Sequence, residues 1–375
     1  MSTADTPLLA RLVERIRRSG PITVAEYMET ALYDSEGGYY ATAARRSGRD
    51  GDFYTSVDAG PLFGEVLARQ LDEMWEALRT RGARQLTLVE AGAGDGRLAR
   101  DVLDAAARSQ PELYDVLTVK LVERSATARS RHAAMLRAHA GKYVGSGATL
   151  PAGVTGVIVA NELVDALPVH VVVGTKRGVH EIYVGETDGQ LTEVEGPPAP
   201  GVAEYLSRER IAISDGVRAE VGVRASEWIA EAAAALAAGF LLLFDYGLPA
   251  SELYSDTRTS GTLTSFRRHT SDPAAWLRNP GGVDITAFVN LTGIARAAER
   301  AGLTSLGTTN QTYFLLALGI AERLPGGADP AALAARLSAK TLLIPGGLGS
   351  TIKVLAFAKG VGRPTLRGFS SPRLT

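Results

Sequence analysis

The stretch Thr87-Leu88-Val89-Glu90-Ala91-Gly92-Ala93-Gly94-Asp95-Gly96-Arg97-Leu98 limits what this chain can fold into more than any other. An apolar run ends in an acid, and three glycines at alternate positions lead straight into a helical pattern. Such a run suits a buried strand turning sharply into a helix. Glycine permits the left-handed backbone of the turn and the close approach of a ligand, and the first N–H groups of the helix remain free. A dinucleotide fingerprint, G-x-G-x-x-G, would need its third glycine at Arg97, which opposes a nicotinamide-dependent oxidoreductase.

The neighbouring pattern places this turn in a larger sheet. Strands are expected over 86–91, 118–123, 143–144 and 157–160, alternating with helices over 97–107 and 126–140. That order implies a parallel sheet with helices on both faces. Three short runs follow, 169–173, 179–185 and 190–194, joined by polar turns as in an antiparallel insertion. Gly196-Pro197-Pro198-Ala199-Pro200-Gly201 reads as a stiff linker closing it. Beyond it come a helix over 226–238, a buried strand over 240–245, an irregular stretch over 247–282 and a helix over 285–301. A strand at 304–308, helices at 312–320 and within 325–343, and a strand at 351–357 complete the chain. Ahead of the sheet, helices over 8–18, 24–32 and 62–78 frame a glycine- and tyrosine-rich loop from Gly37 to Gly60. A loop of that length is a candidate lid.

These elements give four expected segments: a helical lid segment at 1–80, the first half of a cofactor-binding core at 81–168, an inserted antiparallel segment at 169–225, and a second half at 226–375 with a substrate-cleft insertion at about 247–283. The 375 residues include no cysteine, which removes disulfides, thiol nucleophiles and zinc–thiolate sites. The net charge of -1 argues against a nucleic-acid surface. The most apolar run, 232–244, is shorter than the ~20 residues that a bilayer requires. A soluble, cytoplasmic chain is expected, with no membrane and no nucleic-acid partner. The five histidines, at 132, 139, 170, 180 and 269, show no metal-ligand spacing, so no metal is expected. His132 and His139, a heptad apart, read as a solvated helix stripe, and His269 as a surface residue.

Three further acids follow. Glu123 ends the second strand, where a carboxylate can accept both ribose hydroxyls of an adenosine group. After the fourth strand come Asn161 and Glu162, with Asp165 expected one helical turn later. Catalytic groups collect beyond the carboxyl ends of strands in open α/β sheets, and these three would form a polar pocket there.

The E-x-G-x-G-x-G run from Glu90 to Gly96 resembles the first motif of class I S-adenosylmethionine methyltransferases. The Gly51-Asp52-Phe53-Tyr54-Thr55-Ser56 run, Phe63-Gly64-Glu65 and Asn161 to Pro168 resemble the MidA-like family, which includes the mitochondrial complex I assembly-factor protein arginine methyltransferase. Gly20 to Met28, Gly37 to Tyr40, Phe244 to Gly247, Asp284 to Ala287 and Lys353 to Ala356 match in the same order, so the resemblance covers nearly the whole chain. It implies an α/β class I methyltransferase: a Rossmann-like, seven-stranded mixed sheet with an N-terminal helical segment and an inserted β/α substrate segment. It also implies S-adenosyl-L-methionine as cofactor, held by Glu90, Gly92, Gly94, Gly96, Glu123, Thr55 and Ser56. Glu162, Asn161 and Asp165 would then be catalytic. The reaction implied is methylation of a guanidinium nitrogen of a protein arginine, symmetric dimethylation included, so the partner is a protein or peptide acceptor. Val57 and Asp58 stand where the family has Pro-Glu, Ala93 where it has proline, and Phe288 and Asn290 where it has histidine and aspartate. Those departures leave open a small-molecule or peptide acceptor, or a catalytically silent assembly chaperone. The oligomeric state, a homodimer included, is also open.

Overall fold

Seven strands lie side by side in the order Thr304–Asn310, Ile352–Lys359, Leu236–Leu248, Val154–Asn161, Leu86–Ala91, Leu117–Val122 and Tyr143–Gly147. The five from Leu236–Leu248 onward pair in parallel, while Ile352–Lys359 runs antiparallel to both its neighbours. A two-residue strand, Val289–Asn290, pairs with residues 247–248 and makes an eighth. The protein is described by a computed structural model covering residues 6–42, 48, 51–52, 54–327, 329–344 and 347–370. Phe53, and residues 43–47 and 49–50 of the expected lid, lie outside the described residues.

The chain divides into two compact units, one made of residues 1–54, 164–228 and 247–296, the other of 55–163, 229–246 and 297–375. The second holds the central strands. Its core follows from the apolar stripes: helix Leu62–Arg79 buries Leu62, Phe63, Val66, Leu67, Leu71, Met74, Trp75 and Leu78. Phe63 and Phe314 meet Phe244 edge-on, at 5.2 and 5.3 Å between ring centres, and fix the end of the Leu236–Leu248 strand. Gly64 lets this helix lie against the next. A methyl group there would sit 2.6 Å from Asp101 Cβ, on the helix Arg97–Ser109.

The first unit contains an antiparallel sheet of Ile22–Thr23, Gly178–Thr187, His170–Thr175 and Arg218–Val221, with Gln190–Gly196 paired to Gly178–Thr187. Helix Pro7–Ser19 and helix Val24–Tyr33 pack Leu8, Leu12, Ile16, Tyr27 and Met28 against it. The second of these helices opens on a capping box between Thr23 and Glu26.

Several expectations need correction here. The stiff linker stops at Ala199, because Pro200 occupies the first turn of helix Pro200–Glu209, where its missing N–H costs nothing. The irregular 247–282 stretch contains strands Thr264–Arg267 and Thr270–Ser271 and helices Ala250–Leu253 and Ala275–Arg278. The helix expected over 285–301 is only Leu291–Arg300. Asn290 Oδ1 accepts the Gly293 N–H at 3.0 Å and caps it, while Asp284–Thr286 pairs as a strand with Thr264–Arg267. No helix among the described residues is long and apolar enough to cross a membrane.

Candidate active site

The glycine turn closes the Leu86–Ala91 strand onto the helix Arg97–Ser109. Gly92, Gly94 and Gly96 all take left-handed backbone, at φ 71°, 55° and 85°. Three groups hold the turn. Glu123, at the end of the neighbouring strand, accepts the Gly94 N–H at 3.0 Å on one carboxylate oxygen and the Ser125 N–H at 2.8 Å on the other. His132 Nε2 lies 2.9 Å from the Gly94 carbonyl oxygen. Glu90 reaches forward to accept the Ala99 N–H at 3.0 Å, in the first turn of the helix. Burial pushes the Glu90 carboxyl up to about 8.

The solvated stripe expected for His132 and His139 is corrected by this arrangement. Both rings are buried. His132 bridges Gly94 and Ser146, and His139 lies between Tyr114 and Asp104. The helix expected over 126–140 ends at Met135, and His139 follows in a separate 3-10 turn Arg137–His139, so the two rings share no helix face. His269 is exposed, as expected.

Asn161 and Glu162 stand where the Val154–Asn161 strand ends. Glu162 has φ 51°, a left-handed conformation that costs an ordinary residue of order 1–3 kcal/mol and clusters at functional sites. Its N–H donates to the Phe244 carbonyl at 2.8 Å. Its Oε1 accepts the Ser56 N–H at 3.0 Å and the Asn161 amide at 3.2 Å. Burial, with the nearby Asp245 charge against it, lifts this carboxyl to about 8 despite those donors. Asp245 is itself buried and accepts the Leu163 and Tyr246 N–H groups. Thr55 and Ser56, expected at the cofactor, have their polar groups engaged. Thr55 forms a capping box with Asp58, and the Ser56 hydroxyl donates to Gln311 Oε1 at 2.8 Å.

Asp165 corrects one expectation. No helix follows Asn161: the left-handed Glu162 breaks the rotation, and Asp165 lies in a turn of the other unit. It is buried there, its carbonyl accepting the Ala287 N–H at 3.0 Å, and its charge bears on Tyr40, whose hydroxyl donates to Asp284. Asp58, Arg97, Asp245 and Gln311 join the site through long-range contacts, Arg97 to Asp58, Leu163 to Asp245 and Ser56 to Gln311, which carry no spacing signal in the sequence.

Two features test whether an adenosyl cofactor fits. A methyl group built on Gly94 would meet no protein atom within 4 Å, so the turn faces open space. The Asn161 Oδ1 is buried without a hydrogen-bond partner. An open face at the turn and a buried acceptor without a donor are both features that a bound group carrying hydrogen-bond donors could use, so the residues fit such a group.

Comparison with known proteins agrees. The profile of a family described as S-adenosyl-L-methionine-dependent methyltransferase matches residues 66–309. The chain belongs to the MidA-like family of S-adenosyl-L-methionine-dependent methyltransferases. Among the relatives of this MidA-like chain, Protein arginine methyltransferase NDUFAF7, mitochondrial, of Rattus norvegicus is 30% identical over 344 residues, covering 85% of this chain and 76% of that protein. The Homo sapiens protein of the same name is 30% identical over 345 residues, covering 85% and 75%. A COG1565 superfamily member from Burkholderia thailandensis, solved bound to S-adenosyl-homocysteine, superposes with a TM-score of 0.87 at 32% identity, covering 97% of this chain and 94% of that one. The protein is a methyltransferase with S-adenosyl-L-methionine as its cofactor.

Proposed function

We propose that this methyltransferase transfers its methyl group to a guanidinium nitrogen of a protein arginine, with Glu162 holding the guanidinium. The observation that carries the reading is the Glu162 carboxylate. It is fixed at a strand end by strained backbone and two donors, and its pKa is pushed up to about 8 by burial. A cation brought within ~4–6 Å of such a group lowers its pKa by roughly 1–3, so a guanidinium ionises the carboxyl it meets. A neutral hydroxyl leaves it protonated at pH 7. A planar guanidinium also uses both oxygens of a carboxylate, which a lysine point charge does not.

Several groups of this chain would hold the cofactor. The backbone at Gly94 offers an open face, Glu123 stands at the end of the neighbouring strand where a carboxylate can meet ribose hydroxyls, and Asn161 Oδ1 can take a donor. Once bound, S-adenosyl-L-methionine supplies an electrophilic methyl group on a positively charged sulfur. Glu162 does the rest at the acceptor. It orients the guanidinium, draws positive charge toward the nitrogens it touches, and so leaves electron density on the attacking one. Methylated nitrogen must then lose a proton. Ionised by the guanidinium beside it, the Glu162 carboxylate can accept that proton as a general base.

Relatives named as protein arginine methyltransferases support the choice of acceptor. Quantitative mass spectrometry of cells with and without this gene tests it. Methyl-arginine on one or a few proteins should vanish with the gene and return with the wild-type chain. Loss of methyl-lysine instead, or of a methylated small-molecule oxygen, overturns the reading and shows the scaffold serving another acceptor.

A further inference from the structure

Glu162 does not stand alone, and the groups that hold it lead back to the glycine turn. Arg97, the first residue of the helix after Gly96, donates from Nη2 to Asp58 Oδ1 at 2.6 Å, and its Nε lies 3.2 Å from Asp95 Oδ1. The Asp58 side chain is only 1% exposed. Its other oxygen accepts the Thr55 N–H and the Thr55 hydroxyl, both at 2.9 Å, and locks the short turn Ser56–Ala59. That turn presents the Ser56 N–H to Glu162 Oε1.

We propose that Arg97 and Asp58 are positioning residues for the Glu162 carboxylate: Arg97 anchors Asp58, Asp58 locks the turn, and the turn aims the Ser56 N–H at Glu162. The inference rests on the proposed role of Glu162 and adds a device that ties it to the cofactor loop, since Asp95 between Gly94 and Gly96 shares the same guanidinium. A half-exposed arginine beside two aspartates would ordinarily be a structural ion pair of modest value. Three features separate it from that case: the buried Asp58, its closed cap on Thr55, and the single N–H that leaves the turn for Glu162. The charged groups that face Glu162 are Asp245 and Asp58, both repelling it, while the Ser56 N–H and the Asn161 amide stabilise its charge. Among these, the Ser56 bond acts more strongly than the Asp58 charge. Loosening the turn therefore raises the Glu162 pKa, even when Asp58 itself is removed.

The test needs no acceptor. The full chain is labelled with carboxyl-13C glutamate, and the Glu162 resonance is assigned by its loss in Glu162→Gln. Wild type, Arg97→Met, Arg97→Lys and Asp58→Ala are then titrated. Arg97→Met and Asp58→Ala should each raise the Glu162 midpoint by about 0.5 unit or more, the scale of one lost hydrogen bond to a charged form. Arg97→Lys should fall between Met and wild type. A Glu162 midpoint unchanged in both Arg97→Met and Asp58→Ala overturns the relay. That result leaves the role of Glu162 itself intact, because the latter stands or falls on the turnover of Glu162→Gln.

Discussion

Replacing Gly94 with alanine separates cofactor contact from folding, and a matched control exists in the same unit. Gly94 has φ 55° and Gly153 has φ 74°, and a methyl built on either meets no protein atom within 4 Å. Each alanine therefore pays only for left-handed backbone, about 1–2 kcal/mol, partly offset by the ~0.4–1 kcal/mol that Gly→Ala gains by restricting the unfolded chain. The two variants should melt close together and slightly below wild type. Their ligand responses should differ. At about 100 times its dissociation constant, S-adenosylhomocysteine stabilises a binding protein by roughly 2.7 kcal/mol. Gly153→Ala should retain that gain. In Gly94→Ala the methyl stands in the space facing the turn, and overpacking of about 1–3 kcal/mol weakens binding roughly ten- to a hundredfold. Gly94→Val, with a branched side chain, should show no detectable binding. Calorimetric titration and thermal melts with and without ligand read both effects. Wild-type affinity in Gly94→Ala would refute the claim that the cofactor passes this face.

Three further outcomes follow from the same geometry. Glu123→Ala removes the acceptor of the Gly94 and Ser125 N–H groups, so S-adenosylhomocysteine should bind at least about tenfold more weakly; an unchanged dissociation constant would count against its contact with the ribose. His132→Ala cuts the ring from the Gly94 carbonyl and should lower both melting temperature and cofactor affinity, and an effect on neither would mean that the turn holds itself. Glu90 titrates near 4.5 when unfolded and at about 8 when folded, so the folded state retains a proton that the unfolded chain releases, and stability falls as pH rises through that window. Glu90→Gln, which does not titrate, should therefore gain on wild type between pH 5 and 8.5 in urea unfolding of the ligand-free protein, and a gap that shrinks with pH would contradict the buried neutral acid.

The parts of the fold legible in sequence are those encoded by local periodicity. The stripe over 62–78 and the glycine spacing at Gly92, Gly94 and Gly96 each announce their element without help from distant residues. The parts that escaped depend on partners far away. Residues 285–289 look helical in isolation, yet Asp284–Thr286 is claimed by Thr264–Arg267, and only the Asn290 cap starts the helix. Helix 200–209 hides behind prolines that read as a linker until one of them is seen in the first turn. At the candidate site, the placement of Glu90, Glu123 and Glu162 at or beside strand ends is legible, because the sheet pattern fixes where each strand stops. Arg97 and Asp58, 39 residues apart, carry no spacing signal; their pairing exists only in three dimensions.

Glu162→Gln tests the central claim most directly. Glutamine keeps the size of the side chain and an acceptor for the Ser56 N–H, but it carries no charge to orient a guanidinium and cannot take its proton. S-adenosylhomocysteine should bind within about threefold of wild type, while single-turnover methylation of the acceptor identified by mass spectrometry falls by about 10²–10⁴. Near-normal turnover with intact cofactor binding would contradict the account and remove Glu162 from the chemistry.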